Sequence, residues 1–306
     1  VIAFLGAVAL LLSSAAVDAR DWFVSAAAEP GGDGSRAKPL HDPYVALERA
    51  DPGDSIHIAA GTYYSRLDSA YWIIRSPKLS LLGGYNADFS ARDPWKYPTV
   101  LSASKDLTQV NELAMVQGMD NHSELIFDGL VIDGGDRNRY IGENSSGGFQ
   151  RGLGGPMVNF SSPGVVIRNC AFINGCDGAV VLSGDGSRFE NNLVLNHVGL
   201  AALQLRNGAG AGEHPPILVK GNTFAFMHEQ TDPPMGSGGD KATFIRAAGP
   251  AQIQDNVFVA AVNYAVSAYA KPADVTVERN IFWMDVHAHA ATRSGGNVLK
   301  IDNTNF

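Results

Sequence analysis

The chain has little of what most folds of 306 residues are built from. Cysteine occurs only twice, as Cys170 and Cys176, which excludes a disulfide framework as the organising principle. Charged residues make up 18% of the sequence, and no run of Lys and Arg or basic stripe interleaved with aromatics occurs anywhere. Phosphate neutralisation needs clustered cations, so nucleic acid is excluded as the partner. The formal net charge is −8. A polyuronate is therefore not drawn in by the overall field, and would need a local Lys/Arg pocket or a bridging cation such as calcium. Long amphipathic helical patterns are also scarce.

The one long apolar run is at the start. Residues 1–17 are almost wholly apolar, and Val17-Asp18-Ala19 precedes Arg20 and Asp21. An apolar stretch closed by a small-x-small triplet reads as a secretory signal cleaved after Ala19; a run of this length is at the short limit for spanning a bilayer. The expectation is a secreted protein, extracellular or periplasmic and off the membrane once the signal is removed. Its single domain would occupy 20–306, stopping at Phe306 without a capping element.

What is abundant is glycine, 34 residues, set with Asn and Asp between short β-branched runs. Such a mixture suits many short strands joined by tight turns. A repeat organises them: an aliphatic residue or Phe, two residues, a small or amide residue, one residue, then a bulky apolar one. It reads as Ile126-x-x-Gly129-x-Val131, Ile167-x-x-Cys170-x-Phe172, Phe189-x-x-Asn192-x-Val194, Val219-x-x-Asn222-x-Phe224, Ile253-x-x-Asn256-x-Phe258 and Val277-x-x-Asn280-x-Phe282. Cys170 to Asn192 is 22 residues and Asn256 to Asn280 is 24; longer intervals are a coil plus an inserted loop. A unit this short is too small for a helical hairpin and lacks a leucine-rich ladder, whereas three short strands and three turns fit. The fold class is all-β, a parallel β-helix solenoid. Its asparagines stack at one inner corner, where their amides satisfy turn backbone groups. Cys170, in that row, reads as a small buried thiol.

These Asn-x-Phe coils resemble the right-handed parallel β-helix repeats of the pectin-lyase-like superfamily. The N-terminal succession adds to the resemblance: Asp21-Trp22-Phe23-Val24, then Ala46-Leu47-Glu48-Arg49-Ala50, then Pro52-Gly53-Asp54-Ser55-Ile56 through Gly61-Thr62-Tyr63. It implies a first strand and a short capping helix ahead of the first coil, covering an otherwise unpaired sheet edge. It also implies a polysaccharide or cell-surface glycan as partner. The implied activity is that of a lyase on uronic-acid-containing glycans, or of a glycoside hydrolase. Cys176-Asp177-Gly178 matches one part of the polygalacturonase pattern, but no Asp-Asp pair, Gly-His-Gly or Arg-x-Lys follows. A stiff rod with loops would serve equally as a non-catalytic surface or matrix protein.

Three sets of residues are candidates for a site. Counting five to seven positions past each central residue gives Asp177, His197, His228, Asn263 and His287, a row able to supply acid/base chemistry and sugar contacts. Trp283-x-Asp285-x-His287-x-His289 has the period of one strand face. It would offer a ring for sugar stacking and a carboxylate with two imidazoles for a divalent metal. Lys241 and Arg246, helped by Lys220, would neutralise a uronate carboxylate or take its C5 proton, as the resemblance implies for lyases, which often hold calcium as well. The segments 138–156, 208–216 and 229–240 read as loops standing off the rod, where binding surfaces usually sit.

Overall fold

The computed structural model describes residues 18–65, 72–102, 115–135, 140–143, 149–151, 156–175, 178–208, 213–228, 231–232, 242–269, 274–284 and 288–292. Three long sheets run along the rod, one of nine strands and two of eight, and every neighbouring pair within them is parallel. From Ser55–Ala59 onward the coil strands fall in the first, second and third sheets in turn, so each coil contributes one strand to each. The chain is a right-handed parallel β-helix, with the hand that parallel crossovers take. The first sheet begins at Asp21–Val24 and ends at Val275–Glu278, the second runs from Gly61–Tyr64 to Ile281–Trp283, and the third from Trp72–Ile74 to Ala288–Thr292.

The entry follows from a few residues. Asp42 caps the helix Pro43–Arg49 by accepting from Tyr44 N at 2.8 Å, and Pro43 supplies a preset φ. Ala46 is buried beneath it. In the Pro52-Gly53-Asp54 turn, the Asp54 carboxylate accepts from Arg20 N (2.7 Å), Trp22 Nε1 (2.9 Å) and Asp51 N (3.0 Å). One side chain thus aligns the first strand beside Ser55–Ala59. Burial acts to raise the Asp54 pKa, but these donors outweigh it and hold the carboxyl below its usual range.

Inside the rod, like residues sit over like. Phe172, Val194, Phe224, Phe258 and Phe282 form one buried row, with the last three rings stacked at 5.1 and 5.2 Å. Beside it runs the amide ladder. Cys170 N donates to Asn192 Oδ1, Asn192 N to Asn222 Oδ1, Asn222 N to Asn256 Oδ1 and Asn256 N to Asn280 Oδ1, all at 2.8–2.9 Å. Each Nδ2 donates back to a carbonyl of the preceding coil: Ile167, Phe189, Val219 and Ile253. Cys170 is buried, as its place in the row implies, and burial pushes its thiol up to about 12.

The first copy of the repeat needs correction. Ile167 pairs with Phe127 and Phe172 with Ile132, so the copy in register is Phe127-x-x-Leu130-x-Ile132, one residue later than the sequence pattern suggested. Gly129 belongs instead to the turn row, with φ +74, alongside Asn169, Asn191, Gly221, Asp255 and Arg279, all left-handed. Apart from Pro156, the described residues of the segments 138–156 and 229–240 form strands rather than loops. Tyr140–Glu143 and Phe149–Arg151 pair antiparallel, and Phe149 and Gln150 pair with Asp232 and Thr231, joining the two insertions in one small sheet.

A second left-handed row follows two residues after the buried Phe row: Asn174, Asn196, Phe226, Ala260 and Met284. Asn tolerates this backbone, while Phe bears a cost of about 1 kcal/mol or more. Phe226 is exposed, so Phe226→Asn should raise the unfolding free energy by about 1 kcal/mol in urea titration. An unchanged or lower value would show that the exposed ring contributes more than the turn strain removes.

Candidate functional site

The left-handed row decides where the candidate side chains go. After Asn196 the strand changes direction and His197 turns inward, pairing with Met227, which pairs in turn with Ala261. His197 is 1% exposed. Its Nε2 is 2.9 Å from Phe172 O, and the ring packs so closely on Gly175 that a Cβ there would lie 2.2 Å from Nδ1. Burial lowers its pKa to about 4, so the imidazole stays neutral near pH 7. His228 pairs with Val198 instead and is exposed, one residue out of phase and hence on the opposite face. Asn263 is buried in the turn between the second and third sheets, where its N donates to Ala242 O at 3.4 Å. The expected single row of polar residues is therefore not one row; Asp177 and His287 lie outside the described residues.

The second expected row is broken as well. Trp283 ends its strand in the second sheet and is 57% exposed, but Met284 is left-handed and stops the alternation. His289 lies in Ala288–Thr292, a strand of the third sheet. Trp283 and His289 thus do not share a strand face; Asp285 lies outside the described residues. Among the described residues no group of three or more metal-ligating side chains comes together.

Of the cationic set, Lys220 is in the first sheet, 3.8 Å from Asp255 Oδ2, and does not join Arg246. Lys241 lies outside the described residues. Arg246 points outward from Thr243–Ala247 in the third sheet, between the inward Ile245 and Ala247. The register stacks Gln204, Arg246 and Ser267 on that outer face. One step along, the ladder continues through Arg206 N to Leu182 O and Tyr269 N to Ala247 O. Arg246 and its neighbours Gln204, Arg206, Asn207, Gly208 and Tyr269 line a groove of about 490 Å³. This is within the roughly 300–1,000 Å³ of ligand sites. The Arg246 guanidinium lies 4.2 Å from the centroid of the Tyr269 ring, and Arg206 Nη2 donates to Gln204 Oε1. Gln204 is 3% exposed, so its amide braces Arg206 from beneath. Two arginines on adjacent coils, Arg206 lying two residues beyond the partner of Arg246, and no carboxylate among the described lining residues make the groove locally cationic.

Sequence reasoning identified Arg246 but missed Gln204, Arg206 and Tyr269. The signal was there: stacking Leu203 over Ile245 and Val266 places Gln204 over Arg246 and brings Arg206 and Tyr269 alongside.

The strand register defines the class of the protein as a right-handed parallel β-helix, the fold implied by the resemblance to the pectin-lyase-like superfamily. No protein-family model matches the chain, and neither does any curated protein. Among solved structures it is similar to the pectate lyase Pel9A, at 11% identity over 93% of this chain and 78% of that one, with a TM-score of 0.37. It is also similar to a GH136 lacto-N-biosidase from Eubacterium ramulus, at 9% identity over 90% and 64% with a TM-score of 0.34. A third likeness is to the pectin methylesterase from Aspergillus niger, at 11% identity over 95% and 92% with a TM-score of 0.31. The fold stands on the register and not on these likenesses. No helix among the described residues is long and apolar enough to cross a membrane.

Proposed function

We propose that the groove on the outer face of the third sheet takes a uronic-acid-containing polysaccharide and that the protein cleaves it by β-elimination. The observation that carries this reading is the Arg206–Arg246 pair, with Gln204 and Tyr269, on a chain whose net charge is −8. Concentrating two cations in a groove of an acidic protein selects a ligand bearing its own negative charge. A guanidinium meets a carboxylate with two parallel N–H donors. Once the uronate carboxylate is neutralised, the proton on the neighbouring C5 becomes more acidic, and this is the electrostatic requirement of elimination. Tyr269, already beside Arg246, offers a ring face at the same wall. The open groove lies along a rod, which suits a chain-like substrate better than a small molecule.

The test is calorimetric titration with oligogalacturonate and oligomannuronate, together with ultraviolet absorbance of the unsaturated product. Arg246→Ala should weaken binding about 10–100-fold, the size of a lost charge-assisted hydrogen bond. Added salt should weaken wild-type binding in the same direction. Neutral oligosaccharides binding as tightly as the uronates, or an unaffected Arg246→Ala, would overturn the reading.

A further inference from the structure

At the front of the rod the bonded chain begins at Arg20. Its N donates to Asp54 Oδ1 at 2.7 Å, and its O accepts from Ser55 N at 2.9 Å. The guanidinium carbon lies 3.7 Å from the centroid of the Trp22 ring, and Nη2 donates to Asp33 O at 2.9 Å. Asp18 and Ala19 are exposed, and no hydrogen bond among the described residues holds either one. The bond between Ala19 and Arg20 therefore separates unanchored from anchored chain. The same bond follows the small-x-small triplet Val17-Asp18-Ala19 behind the apolar run 1–17, the pattern at which a signal is cut. Sequence pattern and hydrogen bonding reach this position independently.

A cut here changes the charge of the nitrogen that meets Asp54. Hydrolysis breaks the Ala19–Arg20 peptide bond; water gives its hydroxyl to the Ala19 carbonyl carbon and a hydrogen to the Arg20 nitrogen. Near pH 7 the new ends are a carboxylate on the released leader and an α-ammonium on Arg20. Asp54 is only 2% exposed, and its other oxygen accepts from Trp22 Nε1 and Asp51 N. An ammonium keeps the hydrogen bond to Oδ1 and adds an attraction between opposite charges in a site mostly closed to water. Its further hydrogens take the space left by the exposed Ala19. The charged groups around this nitrogen also favour a cation. Asp54 and Asp51 lie in the turn, Asp33 in the loop that Arg20 Nη2 reaches, its carboxyl feeling Lys38, and Asp21 follows on the strand, 2.9 Å from His57 Nε2. Lys78 of the next coil is paired with Glu124 at 3.6 Å.

We propose that the Ala19–Arg20 bond is the processing site of this chain and that the α-ammonium freed on Arg20 becomes the ion-pair partner of Asp54. Removing the leader then fastens the first strand at the sheet end as well as shortening the chain. The inference is independent of the groove. An α-amino group has an ordinary pKa of about 7.7–8.0, and a carboxylate partner raises it in the folded state. The added stability is complete below that range, down to the acid region where Asp54 takes a proton. It disappears as pH rises through the raised value.

The experiment produces the full chain for secretion in a bacterial host and reads the first residue of the product by mass spectrometry, with Arg20 expected. That product is compared with the same protein carrying one extra residue, Ala19, at its front. At about pH 6.5 the Arg20 form should melt about 2 °C higher, and by about pH 10.5 the two should melt together. Reductive methylation of the α-amino group near pH 7, read on the N-terminal peptide, should be about tenfold slower in the Arg20 form, the effect of a one-unit rise in pKa. Asp54→Asn in both forms should erase these differences; where that variant does not fold, the two wild-type forms decide alone. A product that stays uncut, or that starts at another residue, overturns the processing site. Equal melting at about pH 6.5 together with equal methylation rates overturns the ion pair.

Discussion

Replacing Asn222 with alanine should lower the unfolding free energy by roughly 3–5 kcal/mol, read from urea midpoints at constant slope. The side chain is fully inside the rod, and four groups depend on it. Its Oδ1 accepts from Asn192 N and Asn192 Nδ2, and its Nδ2 donates to Phe189 O and Asn256 Oδ1. Asn256 Oδ1 keeps a second donor in Asn222 N, but Asn192 N is left buried and unpaired, and Phe189 O loses its side-chain donor. An orphaned buried donor costs about 1–3 kcal/mol and a lost hydrogen bond about 1 kcal/mol, and the space vacated by the amide adds to the loss. Asn191→Gly is the control, because glycine keeps the left-handed backbone of that position. Asn191 is exposed and its side chain donates sideways to Asn169 Oδ1 at 2.7 Å, so its loss should cost about 1 kcal/mol or less. Equal effects at the two positions would mean that the inner amides do not hold the coils together.

Asp128→Ala should cost about 3–5 kcal/mol, the penalty for breaking a buried ion pair by removing one partner. The Asp128 side chain is 2% exposed and bridges three donors from two segments: Arg92 Nη2 at 2.7 Å on one, and Arg168 Nε at 2.7 Å and Asn169 Nδ2 at 2.9 Å on the other. Burial alone would raise its pKa, but Asn169, Arg92 and Arg168 together outweigh that and hold the carboxyl below its usual value. A carboxyl with a depressed folded pKa adds stability above its unfolded pKa of about 3.9. That stability disappears as pH falls through the folded value. The variant should therefore show a flatter acid limb below about pH 4. Above this window the slope has a different source. His197 is neutral when folded and takes a proton when unfolded, so stability is complete above about pH 6.5 and falls between there and pH 4 in both proteins. Identical curves below pH 4 for wild type and variant would count against the clamp.

The sequence made the rod legible because its regularity is one-dimensional. Asn192, Asn222, Asn256 and Asn280 recur with their flanking Phe and Val residues, and only stacked coils explain that recurrence. The entry was equally readable, since Asp54, Trp22 and the short helix carry fixed jobs at a sheet end. The side-chain directions outside the core were harder. Counting from the asparagines put His197 and His228 together, whereas the left-handed residues Asn196 and Phe226 bend the strands. The pairing of His197 with Met227 then sends the two imidazoles to opposite faces. A one-residue difference has no hydrophobic signature on a strand end, so pattern alone could not resolve it. The slip at Gly129 has the same cause: Ile126 and Phe127 are both apolar, and either fits the motif. Arg246 was found from chemistry alone; its partners Arg206 and Tyr269 emerge only from the stacking of the third sheet.

The amide ladder also binds every coil to both of its neighbours. Each asparagine receives the N–H of the coil before it, so stripping the last coil away strands a buried donor in the one that remains. Peeling from the front strands donors as well, because Leu193, Thr223, Val257 and Ile281 give their N–H groups to Cys170, Asn192, Asn222 and Asn256 carbonyls of the coil before. Buried orphan N–H groups are a rare and poorly tolerated defect. Fraying is thus opposed at either end, and the rod should open cooperatively rather than shed turns one at a time.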